Sequence, residues 1–229
     1  VSYGVMSGLA REYRSPEGKL TEVDLSNAGF RWLSGQEITV AGIPLLALRV
    51  SYVGELGWEL HPAMADLPAL YEAIWAAGEE FGIADYGLYA VNAMRMEKAY
   101  KGWGSELTNE LTMIEAEMDR FIRFDKDDFT GKQATLDAPD RYRIVYGEVD
   151  AGNVDVRGVE PCMLGNSCIG LTTSGGYGYR TGKSLFFACV PLAQASAGSA
   201  FEIILQGERR QARTLGEPAY DPANAKMKA

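Results

Sequence analysis

The residues best suited to chemistry lie in one stretch, Arg49-Val50-Ser51-Tyr52-Val53-Gly54-Glu55-Leu56-Gly57-Trp58-Glu59-Leu60. Two carboxylates, a phenol and an indole gather there around a turn punctuated by glycine. Glycine has no Cβ, so its backbone can approach a flat ligand closely. A carboxylate has two coplanar oxygens and can accept parallel hydrogen bonds from an N–H and an adjacent amino group, the edge that a pterin ring presents. Glu59 is therefore a candidate to hold such a ring in register. Tyr52 is a candidate for the rim of the same pocket, and Trp58 or Trp103 for an apolar wall. The same residues also have a structural reading, in which Glu55 caps the turn, Glu59 pairs with Arg95 and Tyr52 closes the core. Residue types and spacing leave both readings open.

The elements that must position these residues read as α+β. Gln36–Val40 and Ile43–Tyr52 are apolar, strand-like runs joined at Ala41-Gly42, which predicts a tight antiparallel hairpin, and a third strand is expected at Trp58–His61. Asp66 stands where a helix cap belongs, ahead of Leu67, Leu70, Ile74, Ala77 and Phe81 at helical spacing, with Gly82 placed to end the helix. A second helix is expected over Gly87–Ala99 with Leu88, Ala90, Val91 and Met94 on one side. Ser15-Pro16-Glu17-Gly18 reads as a turn. The chain turns polar over Asp125–Asp140, which suggests a division into an α+β region, residues 1–136, and a second domain, residues 137–229. In the latter, Arg143–Val149, Ser167–Thr173, Ser184–Val190 and Phe201–Leu205 read as strands, with Gly175-Gly176 and Ala197-Gly198 as turns. The expected fold is thus an antiparallel sheet with helices followed by a small all-β barrel, ending in an extended, exposed tail from Asp221 to Ala229.

Composition excludes several functions. The net charge is −9 with Lys and Arg scattered, so no basic stripe is available to neutralise nucleic-acid phosphates. No run of about 18 apolar residues predicts a membrane span, and the residues from Val1 to Tyr13 lack the pattern of a secretory signal. A cytoplasmic location, or the mitochondrial matrix in a eukaryote, is the expectation. Cys162, Cys168 and Cys189 form no CxxC pair and read as buried small hydrophobes, and with a single histidine no metal set is expected. His61 has no triad neighbours and reads as a surface or strand-end histidine. Gly165–Gly170 and Gly175-Gly176 lack a Walker context and read as barrel turns. The acidic run at Asp125–Asp128 lacks the spacing of a calcium loop.

Ser51-Tyr52-Val53-Gly54-Glu55-Leu56-Gly57-Trp58-Glu59 resembles the Tyr-x-Gly-Glu-x-Gly-x-Glu signature of the glycine cleavage T-protein family, in the form found in dimethylglycine and sarcosine dehydrogenases. Further segments resemble the family in the same order: Asp24-Leu25-Ser26-Asn27, Ala93–Lys98, Gly102–Thr108, Asp125-Lys126 with Phe129, Gly131 and Lys132, Thr173–Gly178, and Glu217–Pro222. The resemblance implies a tetrahydrofolate site in which Glu59 grips the pterin and Tyr52 lies near it. It implies capture of a one-carbon unit from an N-methylated amine or aminomethyl donor as methylenetetrahydrofolate. Val91 stands where glycine-cleavage members have an arginine, which favours the dehydrogenase-linked branch. The aspartate that organises transfer in the family has no match in this chain, so no catalytic residue is assigned, and Arg95 reads as structural. Flavin is expected only if an upstream flavin domain precedes the chain. The alternatives are a non-catalytic folate-binding or assembly module, and an inactive fragment whose bare sheet edges favour self-association.

Overall fold

The computed structural model describes residues 5–7 and 20–228 of the chain. The turn expected at Ser15–Gly18 lies outside them. Strands β1 (Val5–Ser7), β2 (Gly35–Val40), β3 (Ile43–Leu48) and β4 (Gly57–Pro62) form an antiparallel sheet in the order β1-β4-β3-β2. Val40 pairs with Ile43, leaving Ala41 (φ 51°) and Gly42 (φ 79°) as a two-residue connection with both residues left-handed. That is the hairpin turn whose twist matches its strands. β3 ends at Leu48 rather than at Tyr52. The Val50 N–H donates to the Leu48 carbonyl at 3.0 Å, a tight reversal that takes the chain out of the sheet.

Strand alternation gives this sheet two unlike faces. Ile38, Val40, Leu45, Ala47 and Trp58 are buried with Phe30, and with Leu70 and Ile74 of helix α1 (Leu67–Gly78), in one apolar core. The opposite face carries Glu37, Thr39, Leu46, Glu59 and His61, all exposed or half-buried. A short 3-10 turn, Glu79–Phe81, extends α1 to Gly82, whose φ of +70° closes it as expected. Asp66, however, does not cap the helix. Its own backbone is already helical within the turn Met64–Asp66 and its side chain makes no cap hydrogen bond. Pro68 in the first turn also removes one of the N–H groups that a cap would satisfy.

The chain divides into two compact units. One runs as far as Val91 and takes in the segment from Asp221, and the other is Asn92–Tyr220. Helix α2 (Leu88–Glu97) buries Ala93, Arg95, Met96 and Glu97, whereas Leu88, expected on its apolar side, is 86% exposed. The buried end therefore includes two charged residues, which requires that each be paired.

In the second unit a short helix, α3 (Lys132–Leu136), precedes a closed antiparallel barrel of β5 (Tyr142–Val149), β6 (Pro161–Leu164), β7 (Ser167–Gly178), β8 (Lys183–Pro191), β9 (Ala200–Leu205) and β10 (Glu208–Thr214), in the order β10-β5-β8-β7-β6-β9. Val145, Phe186, Ala188, Val190, Phe201 and Ile203 share the main core, while Ile144, Tyr146, Leu185 and Phe187 pack with Met96 in a second cluster. β5 and β8 are thus covered on both faces. Gly175-Gly176, expected as a turn, lies inside β7. A Cβ on Gly175 would sit 2.4 Å from Val156 Cβ, so the glycine serves close packing, not reversal. The carboxyl-terminal tail is folded rather than extended. The Asp221 carboxylate accepts from the N–H groups of Ala225 at 2.9 Å and Lys226 at 3.1 Å, and Met227 is buried.

Candidate functional site

Glu59 lies on β4 between Leu48 of β3 and Val5 of β1. Its side chain, 25% exposed, belongs to the sheet face turned away from the apolar core. It makes no hydrogen bond to the described residues, and the imidazole of His61 lies beside it, with Nε2 3.5 Å from Glu59 Oε2. The neighbour follows from the strand, since residues i and i+2 share a face. The site therefore offers a carboxylate with both oxygens available, partly withdrawn from water.

Trp58 does not serve as a wall for it. The same alternation sends its indole into the core, edge-on to Phe30 at 6.3 Å, with the Arg49 guanidinium 5.4 Å from its ring centre. Arg49 is itself buried and donates to the carbonyls of Phe30 and Met227, tying the carboxyl-terminal segment to the sheet. Tyr52 is 37% exposed on the loop that leads from β3 to β4, where Val53 and Leu56 point inward and Gly54 takes a φ of +77°. A groove lined by Thr21–Val23, Glu37–Thr39 and Pro44–Leu46 runs along the β2–β3 hairpin and includes none of the three candidate residues.

Trp103 belongs to the second unit and is 89% exposed. Its loop is closed by a fully buried carboxylate that sequence reasoning did not single out. Glu106 Oε1 accepts from the hydroxyls of Ser174 at 2.6 Å and Thr173 at 2.7 Å, and Oε2 accepts from the Gly102 N–H at 2.7 Å and from Arg95 Nη1 at 3.3 Å. Arg95 also donates to Asn92 and to the Tyr100 carbonyl, so its place in the molecule is structural, as expected. Its carboxylate partner is Glu106, a pairing that the spacing of the chain does not suggest.

Two further buried carboxylates are held in the same manner. Glu97 Oε1 accepts from the N–H groups of Arg180 at 2.9 Å and Thr181 at 2.8 Å. Glu115 accepts from Arg141 and from the Thr112 N–H, while the Thr112 hydroxyl accepts from the Glu115 N–H at 3.0 Å. Burial pushes the Glu115 carboxyl up, but the hydrogen bonds from Arg141 and Thr112 outweigh it and hold it at about 2. The reciprocal pair has the Thr-x-x-Glu spacing of a capping box, a signal present in the sequence.

The cysteines divide. Cys162 is buried and its thiol is pushed up to about 12 by burial, whereas Cys168 is exposed, against the expectation that all three would be buried. Among the described residues no group of three or more His, Cys, Asp and Glu side chains is placed to hold a metal ion, and no helix is long and apolar enough to cross a membrane.

Comparison with known proteins agrees with this architecture. Residues 18–126 match the family described as the GCVT N-terminal domain, and residues 143–221 match the glycine cleavage T-protein C-terminal barrel domain. Mitochondrial dimethylglycine dehydrogenase of Mus musculus is 40% identical over 232 residues, covering 98% of this chain and 27% of that protein. An aminomethyltransferase of Moorella thermoacetica is 33% identical over 206 residues, covering 88% of this chain and 55% of that protein. The crystal structure of glycine cleavage system aminomethyltransferase T from Bartonella henselae superposes with a TM-score of 0.73 at 21% identity, over 83% of this chain and 53% of that one, which supports the fold. The chain therefore spans about a quarter to about half the length of these relatives. A sheet with helices followed by a closed six-strand barrel, matched in order by both family regions, makes this chain a member of the glycine cleavage T-protein family.

Proposed function

We propose that the chain is a tetrahydrofolate-binding module of a one-carbon transferase. Glu59 is the residue that grips the pterin edge and Tyr52 lines the rim, and Trp103 of the second unit is a separate candidate to offer an indole face to folate. The observation that carries this reading is the Glu59 carboxylate, which lies on the polar face of the sheet and makes no hydrogen bond to the described residues. A pterin edge supplies the paired N–H donors that such a group lacks. Bound folate supplies the nitrogens to which a one-carbon unit from an N-methylated amine or aminomethyl donor is attached. The chain's own contribution is to orient the ring and limit water around it, since positioning alone can supply much of a rate enhancement. No residue is assigned as acid, base or nucleophile.

The test is a calorimetric titration of the chain with (6S)-5-formyltetrahydrofolate. Glu59→Ala weakens binding by more than about tenfold, the equivalent of about 1.4 kcal/mol, while the unfolding midpoint stays within error. Unchanged affinity removes the assignment. A second reading, a non-catalytic folate-binding or assembly module, is favoured by Glu106 and Glu115, whose oxygens are all engaged by internal donors, and by Glu97, whose Oε1 is engaged likewise. Turnover separates the two: methylenetetrahydrofolate formed from tetrahydrofolate and formaldehyde or dimethylglycine, above the uncatalysed background, marks the enzyme. The division after residue 136, a cytoplasmic or matrix location, an upstream flavin domain and self-association belong to the same proposal, and sedimentation of the purified chain tests the last.

A further inference from the structure

Among the described residues β2 stands at one side of its sheet, bonded to β3 alone. The two-residue turn at Ala41-Gly42 makes Val40 and Ile43 a hydrogen-bonded pair, and from there bonded and non-bonded pairs alternate along the antiparallel ladder. Ile38 and Gln36 are therefore bonded to β3, while the N–H and C=O groups of Thr39, Glu37 and Gly35 point away from it. Pro44 opposite Thr39 fits this phase, since it has no N–H to give to β2. The last N–H on the same side, that of Ala41, donates to the Leu20 carbonyl at 2.7 Å. Beyond it the three outward-facing residues make no backbone hydrogen bond to the described residues. The chain at Thr21–Val23 stands off from β2 across the groove, leaving a slot of about 720 Å³.

Such an edge is a template for another strand. The usual protections are missing from it: β2 has no Pro or Lys, and its register with β3 runs without a bulge from Gly35 to Val40. From Gly35 to Thr39 the edge is about 13 Å long, room for a five-residue extended segment. The slot also specifies side chains. Residues paired with Thr39, Glu37 and Gly35 point to the polar face, where Glu37 is exposed and makes neither a hydrogen bond nor an ion pair with the described residues. The residues between them point to the other face, on the side of Ile38 and Val23. The lining holds Glu22 and Glu37 and no Lys, Arg or His. We propose that the β2 edge is a docking site for an extended peptide segment of a partner protein, added antiparallel to β2, with a basic residue opposite Glu37 and apolar residues flanking it. This goes beyond the folate reading and does not depend on it.

The probe is the acetylated, amidated pentapeptide Thr-Val-Lys-Val-Thr, titrated to millimolar concentration into the full chain while backbone amides are followed by NMR and hydrogen exchange. Exchange at Gly35, Glu37 and Thr39 is expected to slow, whereas Ile38 and Val40, already bonded to β3, are not slowed further. A peptide N-methylated at its lysine loses the central donor and is expected to bind about fivefold to tenfold more weakly. Glutamate in place of the lysine is expected to weaken binding about twofold to fivefold, the range for a cross-strand charge pair. Glu37→Lys is expected to reverse that preference with the unfolding midpoint unchanged. The inference is overturned if the three amides do not respond, if N-methylation leaves binding undiminished, or if the lysine and glutamate peptides bind alike. Protection of the three amides without peptide also overturns it: protection constant with concentration means that the chain covers its own edge, and protection rising with concentration means that a second copy does.

Discussion

The two units treat their glutamates differently. In the barrel unit Glu97, Glu106 and Glu115 are buried and each is supplied with donors from backbone, hydroxyl or guanidinium groups. In the sheet unit Glu59 is turned to the polar face, with the imidazole of His61 beside it and no hydrogen bond from the described residues. Burying a carboxylate costs several kcal/mol unless its oxygens are hydrogen-bonded, so the barrel carboxylates are parts of the scaffold. A carboxylate that accepts no hydrogen bond from the described residues on an organised strand fits the proposed use, which is to receive donors from outside the chain.

The largest effect that would sharpen this contrast is on stability. Glu106→Ala strands Arg95, the Ser174 and Thr173 hydroxyls and the Gly102 N–H, and it is expected to cost about 3–5 kcal/mol in denaturant unfolding. Glu59→Ala is expected to change stability by less than about 0.5 kcal/mol. If the two substitutions destabilise the chain equally, the distinction between scaffold and site fails.

Acid is expected to act next, and on the barrel unit. The Glu115 carboxyl is held at about 2, below its ordinary 4.5. Its contribution to stability is therefore fully present above pH 4.5 and is lost as pH falls from there towards 2. An unfolding series over that window should show a steeper loss for the native chain than for Glu115→Gln. Equal slopes would mean that Arg141 and Thr112 do not hold the charge as described.

Trp103→Ala is expected to have the smallest effect. An indole 89% exposed contributes little to folding, but stacking on a flat ligand is worth about 0.5–1.5 kcal/mol. Folate binding should weaken by about threefold to tenfold with no change in the unfolding midpoint. Unaltered affinity would remove Trp103 as a candidate.

Much of this organisation is legible in the sequence because alternation and turn chemistry are local. Ala41-Gly42 between two apolar runs specifies the hairpin, the spacing of Leu70 and Ile74 specifies α1, and four of the six barrel strands read as β-rich runs. β10 escapes such a reading because Glu208-Arg209-Arg210-Gln211 is polar on both faces of the strand, which buries only Ala212 and Thr214. Gly175-Gly176 misleads because a glycine pair that permits a reversal also permits close packing within a strand, and only Val156, distant in sequence, distinguishes them. The tail is illegible for a similar reason, since Met227 is buried and its carbonyl is anchored by Arg49, 178 residues earlier.

The site is legible in part. Period-two alternation separates Trp58 from Glu59, and the rule that turns the carboxylate to the polar face assigns the indole to the core. The pairing of Arg95 with Glu106 cannot be read the same way, because the hydroxyls that complete it come from Thr173 and Ser174 in the barrel. The Thr112-x-x-Glu115 box is readable from spacing alone.

The central claim is that Glu59 receives the paired donors of a pterin edge, and a double-mutant cycle tests it most directly. Affinities would be measured for the native chain and Glu59→Gln, each with tetrahydrofolate and with its analogue lacking the 2-amino group. The account predicts that Glu59→Gln costs more than about tenfold with the full ligand and less than about twofold with the analogue, because the two changes remove the same contact. Losses that simply add would show that Glu59 and the amino edge do not meet.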